Sequence, residues 1–280
     1  MHAPCDIDQY CVMGHPVAHS KSPWIHARFA QLTGQSLDYG RCLAPLEGFS
    51  SALRDFMAQT NAKGCNVTVP FKFEAFALAQ HASVRAELAQ AANTLSFGAD
   101  GIHADNTDGV GLVRDIEVNA GVALAGRSIL LLGAGGAAAG VLGPLLDAAP
   151  ARILVANRTL AKAQTLVQRH SELAAKTATT LAACALSDVH AAFDVVINAT
   201  ASSLVGSGVP IAASALRNGT LAYDMMYGPA AKGFLDWARD HGAQPRDGLG
   251  MLVEQAGEAF CVWRGVLPPT AMVLNELRAA

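Results

Sequence analysis

No Cys-x-x-Cys pair occurs in this sequence, and its six cysteines stand apart, at Cys5, Cys11, Cys42, Cys65, Cys184 and Cys261. With no histidine or cysteine cluster at metal-ligand spacing either, a zinc ribbon and a disulfide scaffold are excluded, and no bound metal is expected. The thiols are expected to be buried and reduced, as in a cytosolic protein. Charge is also scarce. Charged residues make up 15% of the chain and the net charge is −3, which gives no reason to expect nucleic acid or an anionic membrane as partner. No apolar run approaches membrane-spanning length. Met1-His2-Ala3-Pro4 lacks the basic region and apolar core of a secretion signal. Internal repeats and low-complexity linkers are missing as well. These absences leave a soluble, cytoplasmic protein with a small-molecule partner as the expectation.

What is present points to a well-buried α/β chain. Hydrophobic residues account for 51% of 280 residues, a length that suggests two domains. The organising stretch is Ser128-Ile-Leu-Leu-Leu-Gly-Ala-Gly-Gly-Ala-Ala-Ala-Gly140. Its apolar run, 129–132, is short enough for a strand buried on both faces. Gly133, Gly135 and Gly136 then allow a turn without Cβ atoms, and residues 137–146 read as a helix. Strand, glycine turn and helix in this order start a dinucleotide-binding βαβ unit. The glycines let the backbone approach a pyrophosphate, and the helix N-terminus stabilises its charge.

Taken in order, the first part of the chain predicts strands at 10–13, 37–43 and 63–69. Helices are expected from Ser22-Pro23, a capping hydroxyl followed by proline at the first helical position, to Thr33, and at 46–59, 71–80 and 83–90. A hairpin joins 92–97 to 102–104 across Gly98-Ala-Asp-Gly101. A helix at 110–119 precedes the organising strand. Beyond it, strands at 152–156, within 192–198 and at 221–225 alternate with helices at 160–170 and 233–241, the pattern of a parallel sheet. A long helix, 249–264, and a short one, 272–277, end the chain and are expected to return to the first domain. The expected division is 1–107 for substrate binding and catalysis, 108–247 for the nucleotide, and 248–280 for the returning helices.

Two constellations carry chemistry. A NAD-binding unit normally offers an acid at the end of its second strand, to bond the ribose 2′-hydroxyl. Here that strand ends in Asn157-Arg158-Thr159, with Lys162 one helical turn on. Arg158, Thr159 and Lys162 suit a 2′-phosphate, so the expected cofactor is NADP. In the first domain, period-two alternation puts Asn66, Thr68 and Pro70 on one strand face, with Lys72 just after it. Asn93 and Asp108 follow on and after the hairpin. Amides, hydroxyls and charges gathered at strand ends suit a polar small-molecule pocket. His15 and His19 are read as local hydrogen-bonding residues of their loop rather than as catalytic acids.

Several ordered motifs now resemble the shikimate dehydrogenase family along nearly the whole chain. They are Gly14-x-Pro16-Val-Ala-His19-Ser20-Lys21-Ser22-Pro23, Asn66-Val-Thr-Val-Pro-Phe-Lys72, Ala92-Asn93-Thr94-Leu95 and Asp105-Asn-Thr-Asp108-Gly109. Downstream come Gly133-Ala-Gly-Gly-Ala137, Asn157-Arg-Thr159, Asn198-Ala-Thr200, Asp224-Met-Met-Tyr227 and Asp247-Gly-Leu-Gly-Met-Leu-Val-Glu-Gln255.

The resemblance implies two α/β domains with the active site in the cleft between them, the second of Rossmann type. It implies NADP-dependent, reversible reduction of 3-dehydroshikimate to shikimate on the route to chorismate and the aromatic amino acids. By position it implies that Ser20 and Ser22, assisted by Tyr227, bind the substrate carboxylate. Thr68, Asn93, Asp108 and Gln255 would bond the ring hydroxyls, and Lys72 would be the acid/base paired with Asp108. Gly133, Ala134, Gly135, Gly136 and Ala137 would hold the pyrophosphate. Asn157, Arg158, Thr159 and Lys162 would hold the adenosine phosphate, and Met225 and Gly248 would lie beside the nicotinamide. Three departures stand out: Ala231-Lys232-Gly233-Phe234 after Tyr227, Ala201-Ser-Ser203 after Thr200, and Val84 where the family often has a carboxylate. An NAD-dependent quinate/shikimate dehydrogenase is the nearest rival, opposed by Arg158 and Lys162. A nucleotide-sensing regulator without turnover is opposed by the presence of both Lys72 and Asp108.

Overall fold

The computed structural model describes residues 7–200 and 211–279, so Cys5, the first four residues and Ala201-Ser-Ser203 lie outside the described residues. Within it the chain forms two compact units. One runs to Gly111 and resumes at Leu252, and the other is Leu112–Met251.

The first unit begins with strand β1 (Asp8–Gly14), helix α1 (Ser22–Thr33), strand β2 (Leu37–Leu43) and helix α2 (Phe49–Met57). Strand β3 (Ala62–Val67), helix α3 (Lys72–Ala77), the two-residue strand β4 (His81–Ala82) and helix α4 (Val84–Ala89) follow. The hairpin β5 (Thr94–Gly98) and β6 (Gly101–Asp105) leads into α5 (Asp108–Arg114), which continues as a π-turn over Asp115–Asn119. The six strands form one sheet in the order β2-β1-β3-β5-β6-β4. β1 pairs parallel with β2 and β3, whereas β5 runs antiparallel to both β3 and β6.

Alternation along β1 loads both faces of this sheet. Cys11 and Met13 join Phe49, Leu53, Phe56 and Phe71 on one side. Tyr10 and Val12 pack with Tyr39 and Trp263 on the other. His26 stacks flat on Tyr39 there, with ring centroids 4.1 Å apart, and its burial drives its pKa down to about 3, so it is neutral.

Local chemistry moved several boundaries from the sequence reading. The expected helix at 46–59 starts only at Phe49, after Gly48. Ser22 is not the cap of α1: Lys21 occupies that position, and the Ser22 N–H instead donates to the Ser20 hydroxyl at 3.2 Å. β3 stops at Val67, so Thr68 and Pro70 leave the strand and do not share its face with Asn66. Lys72 opens a helix rather than following a strand end. β4 was missed because two residues give no periodicity to read.

The second unit contains β7 (Ser128–Leu132), α6 (Gly136–Asp147), β8 (Arg152–Asn157), α7 (Leu160–Arg169), α8 (Ser171–Lys176) and β9 (Thr180–Ala185). It continues with β10 (Val195–Asn198), β11 (Leu221–Asp224), α9 (Lys232–Asp240) and β12 (Gln244–Arg246). All six strands are parallel, in the order β12-β11-β10-β7-β8-β9. Renumbered from β7, this is the 3-2-1-4-5-6 order of a doubly wound dinucleotide fold, whose order reverses between β7 and β10. β7 is buried on both faces, with Ile129 to Leu132 all inaccessible. β9 and β12 were not read from the sequence. β9 is Ala-rich, and β12 is three residues with Pro245 inside.

Helices α10 (Leu249–Arg264) and α11 (Thr270–Ala279) close the chain, and from Leu252 onward they belong to the first unit. Trp263 Nε1 donates to the Leu95 carbonyl at 3.1 Å, and Gly64 leaves room for this indole, which a Cβ would meet at 2.7 Å. Arg28 adds a bidentate pair with Glu276, both bonds at 2.8 Å.

In the second unit a fully buried carboxylate, Asp115, ties the π-turn to the sheet. It accepts from the Tyr223 hydroxyl at 2.7 Å and from Arg246 Nε and Nη2 at 2.9 and 2.5 Å. Burial, followed by the Asp115 charge, holds the Tyr223 phenol well above its usual pKa. Asp115→Ala leaves the Arg246 guanidinium without its partner and should destabilise the chain by about 3–5 kcal/mol. Urea unfolding measures this; a loss below about 1 kcal/mol would mean that water replaces the carboxylate.

Candidate active site

In the first unit three of the polar residues singled out from the sequence, Lys72, Asp108 and Gln255, gather around the amide of a fourth, Asn93. Asn93 is 2% exposed and sits just before β5. Its Nδ2 donates to Asp108 Oδ1 and Thr107 Oγ1, both at 2.9 Å, and lies 3.1 Å from Gln255 Oε1. Its Oδ1 accepts from the Thr107 N–H at 2.8 Å and the Thr94 hydroxyl at 2.9 Å. Asp108 Oδ2 is left to Lys72, whose ammonium donates to it as an ion pair. The side chains of this pair are 14% and 6% exposed.

The placement of each member follows from its element. Asp108 is the first residue of α5, where the helix dipole favours a carboxylate. Its N–H donates to Asn106 Oδ1 at 3.2 Å, and Asn106 in turn donates to the Ala91 carbonyl at 2.8 Å. The Ala92 N–H donates to the Lys72 carbonyl at 2.8 Å, which fixes the start of α3 against the entry to β5. Gln255 comes close because Gly111 has no side chain: a Cβ there would meet the Gln255 Cβ at 2.6 Å.

Asp105, at the end of β6, is anchored by Arg85 Nε and Nη2 at 2.6 and 2.7 Å and by the Ser83 hydroxyl at 2.5 Å. Burial would raise the Asp105 pKa, but the bonds from Arg85 and Ser83 outweigh it and hold the carboxyl below its usual range. Arg85 also donates to Glu258 at 3.0 Å.

The loop after β1 carries a second feature. The Ser20 hydroxyl donates to the Ser22 hydroxyl at 3.1 Å, so the two face one another beside the start of α1. Arg41 Nη2 holds the Ser20 carbonyl at 2.6 Å. His15 Nδ1 donates to the Ala44 carbonyl at 2.9 Å, the local role expected of it. Thr68 is half-buried, and its N–H donates to the Met13 carbonyl at 2.9 Å. The His15–Pro16 and Val69–Pro70 peptide bonds flanking this region are cis.

In the second unit the glycine loop joins β7 to α6. Gly133 has φ 110°, a left-handed conformation that a side chain would strain, and a Cβ there would also meet the Ala199 carbonyl at 3.1 Å. Gly135 caps α6 without a side-chain bond, and a Cβ on it would meet nothing within 4 Å. A helix N-terminus with no side-chain cap suits an anion, and Ala134, Gly136 and Ala137 adjoin it in the chain. This fits a pyrophosphate. Asn157 Nδ2 donates to the Thr159 carbonyl at 2.9 Å and shapes the turn after β8. Arg158, Thr159 and Lys162 are exposed there, and neither cation has an ion-pair partner among the described residues.

Met225 and Gly248 also meet within this unit: a Cβ on Gly248 would collide with the Met225 carbonyl. Asn198 Nδ2 donates to Asp224 at 3.1 Å, and the Met226 N–H donates to the other Asp224 oxygen at 2.9 Å. Tyr227 is half-buried between β11 and α9.

Sequence reasoning missed the supporting residues rather than the central ones. Thr107 and Asn106 stand inside quoted motifs with no role of their own, and Asn66 enters only as a polar residue of the β3 face. Asn66 accepts from Tyr39 at 2.7 Å and donates to the Asn93 carbonyl at 3.1 Å. Arg85 and Glu258 had no signal, because 173 residues separate them.

Asn93→Ala removes a donor from Asp108 and strands the buried Thr107 N–H. Leaving such groups unsatisfied costs about 1–3 kcal/mol, a loss to be read by urea unfolding. An unchanged midpoint would show that the amide only fills space.

Known proteins are similar to this chain in both units. Residues 12–95 match the model of the shikimate dehydrogenase substrate binding domain, and residues 117–209 match that of shikimate / quinate 5-dehydrogenase. A shikimate dehydrogenase (NADP(+)) from Paracidovorax citrulli is 70% identical over 273 residues, covering 97% of each chain. The crystal structure of an Ael1 enzyme from Pseudomonas putida is 46% identical, covers 96% of this chain and 98% of its own, and superposes with a TM-score of 0.87. Shikimate 5-dehydrogenase from Thermus thermophilus, solved with NADP(H) and shikimate, is 29% identical over 98% of this chain and 99% of its own, with a TM-score of 0.84. Family models that match in both units and relatives that match over nearly the whole length agree, and this chain belongs to the shikimate dehydrogenase family.

Proposed function

We propose that Lys72 and Asp108 are the acid/base pair with which this chain reduces 3-dehydroshikimate reversibly to shikimate, with NADPH as the hydride source. The observation that carries the assignment is the nearly buried Lys72 ammonium bonded to a carboxylate whose other oxygen is held by Asn93. NADPH, when bound, supplies hydride to the ring ketone. Lys72 Nζ gives a proton to the ketone oxygen as charge develops on it, and takes one back in the oxidative direction. Asp108 keeps the amine aimed, and Asn93 keeps Asp108 from rotating. The Ser20 and Ser22 hydroxyls, beside a helix start, bind the substrate carboxylate. Thr68, Asn93, Asp108 and Gln255 offer neutral and charged groups to the ring hydroxyls.

For the cofactor, residues 133–137 receive the pyrophosphate on open N–H groups. Arg158 and Lys162, with Asn157 and Thr159, receive the 2′-phosphate by charge-assisted bonds. Met225 and Gly248 flank the nicotinamide. The division into 1–107 for substrate and 108–247 for NADP, with 248–280 completing the first, holds in outline but needs its edges moved: Asp108 belongs with Lys72 in the first unit, which runs to Gly111 and resumes at Leu252. The cytoplasm is the proposed location: the five described cysteines are all free, as reducing surroundings keep them. Among the described residues no helix is long and apolar enough to cross a membrane.

A panel of shikimate and quinate, each with NADP and NAD, tests the whole reading. Shikimate with NADP should give the highest kcat/KM; a preference for quinate or NAD would overturn it. Arg158→Ala should weaken NADP about ten- to hundredfold, the loss of one bond to a charged group. NAD binding should barely change, and equal losses would remove Arg158 from the phosphate site.

Lys72→Ala should lower kcat by about 10²–10⁴-fold with a smaller change in KM. Asp108→Asn should also be damaging, and the double variant less than multiplicative, since the two act as a unit. A near-normal kcat in Lys72→Ala would mean that another group supplies the proton.

A further inference from the structure

At the far end of the hairpin from Asp108, two histidines and a carboxylate point their ligand atoms at one place. We propose that His81, Asp100 and His103 form a surface site for a divalent transition metal of the zinc class, with water filling the remaining positions.

The site is made by strand register. β4 pairs parallel with β6 so that His81 stands opposite His103, and the two rings stack with centroids 4.5 Å apart. Asp100 lies in the turn between β5 and β6. One of its oxygens is 3.3 Å from His81 Nε2 and the other is 2.8 Å from His103 Nε2. The three ligand atoms all lie within 4.8 Å of one another. Donors at tetrahedral angles around zinc, with bonds of about 2.0–2.2 Å, are themselves about 3.4 Å apart. The two carboxylate–imidazole spacings, 3.3 and 2.8 Å, lie close to this value, and rotation at the side-chain ends adjusts the rest.

Gly98 keeps the space clear. A Cβ there would meet Asp100 Oδ1 at 2.6 Å and His103 Nε2 at 3.2 Å. The side chains are 48%, 62% and 44% exposed for His81, Asp100 and His103, so an ion from solution reaches them directly. Two imidazoles and one carboxylate select zinc, copper or nickel over magnesium or calcium, which favour oxygen ligands. A bound ion would clip the two-residue edge strand β4 to β6 and to the hairpin turn, and so stabilise the folded chain by mass action. None of the three residues belongs to the acid/base pair or to the carboxylate loop.

The test is calorimetric titration of zinc chloride into the untagged, chelator-treated full chain. One ion should bind per chain, and magnesium chloride should give no binding. His81→Ala and His103→Ala should each weaken zinc at least about tenfold, or about 1.4 kcal/mol. Gly98→Ala should weaken it too, although every donor is retained. Zinc should raise the thermal midpoint of the parent chain and not that of the histidine variants. Shikimate oxidation by all three variants checks that they fold. Zinc binding that is unchanged in both histidine variants would place the ion elsewhere, on a thiol or another histidine, and overturn the proposal. No zinc binding to the parent, or equal binding of magnesium, would overturn it as well.

Discussion

The orientation of a single amide, that of Asn93, constrains the chemistry of the first unit. A carboxylate has no donor of its own, so Asp108 Oδ1 must face Asn93 Nδ2 and not Oδ1. The Thr107 N–H imposes the same orientation from the other side, because it needs an acceptor and finds Asn93 Oδ1. With one oxygen so fixed, the other has a defined direction, and Lys72 lies along it. The backbone of Asn93 is held as firmly: its N–H donates to the Asp105 carbonyl at 3.1 Å and its carbonyl accepts from Val67 at 2.8 Å. A nearly buried charge pair stabilises little by itself, because desolvation offsets much of the attraction. Its value here is positional, and the surrounding bonds give it that value.

A different constraint governs the second unit. Parallel strands bring every C-terminal end to the same edge, and the order β12-β11-β10-β7-β8-β9 reverses beside β7. The glycine loop follows β7 and the Asn157-Arg158-Thr159 turn follows β8, its neighbour in the sheet. The glycine loop and the Asn157-Arg158-Thr159 turn are thus set side by side by strand order alone. Met225 follows β11 and reaches the same edge. The backbone of Gly133 is what lets the chain turn sharply there, since φ 110° is strained for any residue with a Cβ.

Much of this was legible in the sequence, for identifiable reasons. The strand, glycine turn and helix at 128–147 follow from local composition, because a run buried on both faces and a turn without Cβ atoms have few alternatives. Leu37–Leu43 and Leu249–Arg264 were bounded correctly, since Gly, Pro or a change of period marks their ends. Thr68 was misplaced for the opposite reason. Period-two alternation says which way a side chain points only while the strand lasts, and β3 ends at Val67, before the cis Val69–Pro70 bond. The capping hydroxyl of α1 was misassigned because Ser20 and Ser22 are chemically equal in sequence, and only the loop conformation decides which one takes an N–H.

What the sequence could not show is long-range register, and both polar clusters of the first unit depend on it. Lys72 and Asp108 are 36 residues apart, and Asn93 and Gln255 are 162 apart. Nothing in their spacing brings them together. The antiparallel pairing of Asn66 with Thr94 and of Thr94 with Asp105 does so, by bringing the end of β3, the start of β5 and the end of β6 level. The same hairpin, at its other end, sets Asp100 beside His103, and the parallel pairing of β4 sets His81 beside both. A search for metal ligands by spacing looks for two or three residues on one turn or helix, and it passes over a trio assembled from an edge strand, a turn and the strand after it. A one-residue slip of β6 against β5 would turn His103 to the other face and carry Asp105 out of line with Thr94. The hairpin register is therefore a single quantity on which the Lys72–Asp108 ion pair and the histidine cluster both depend.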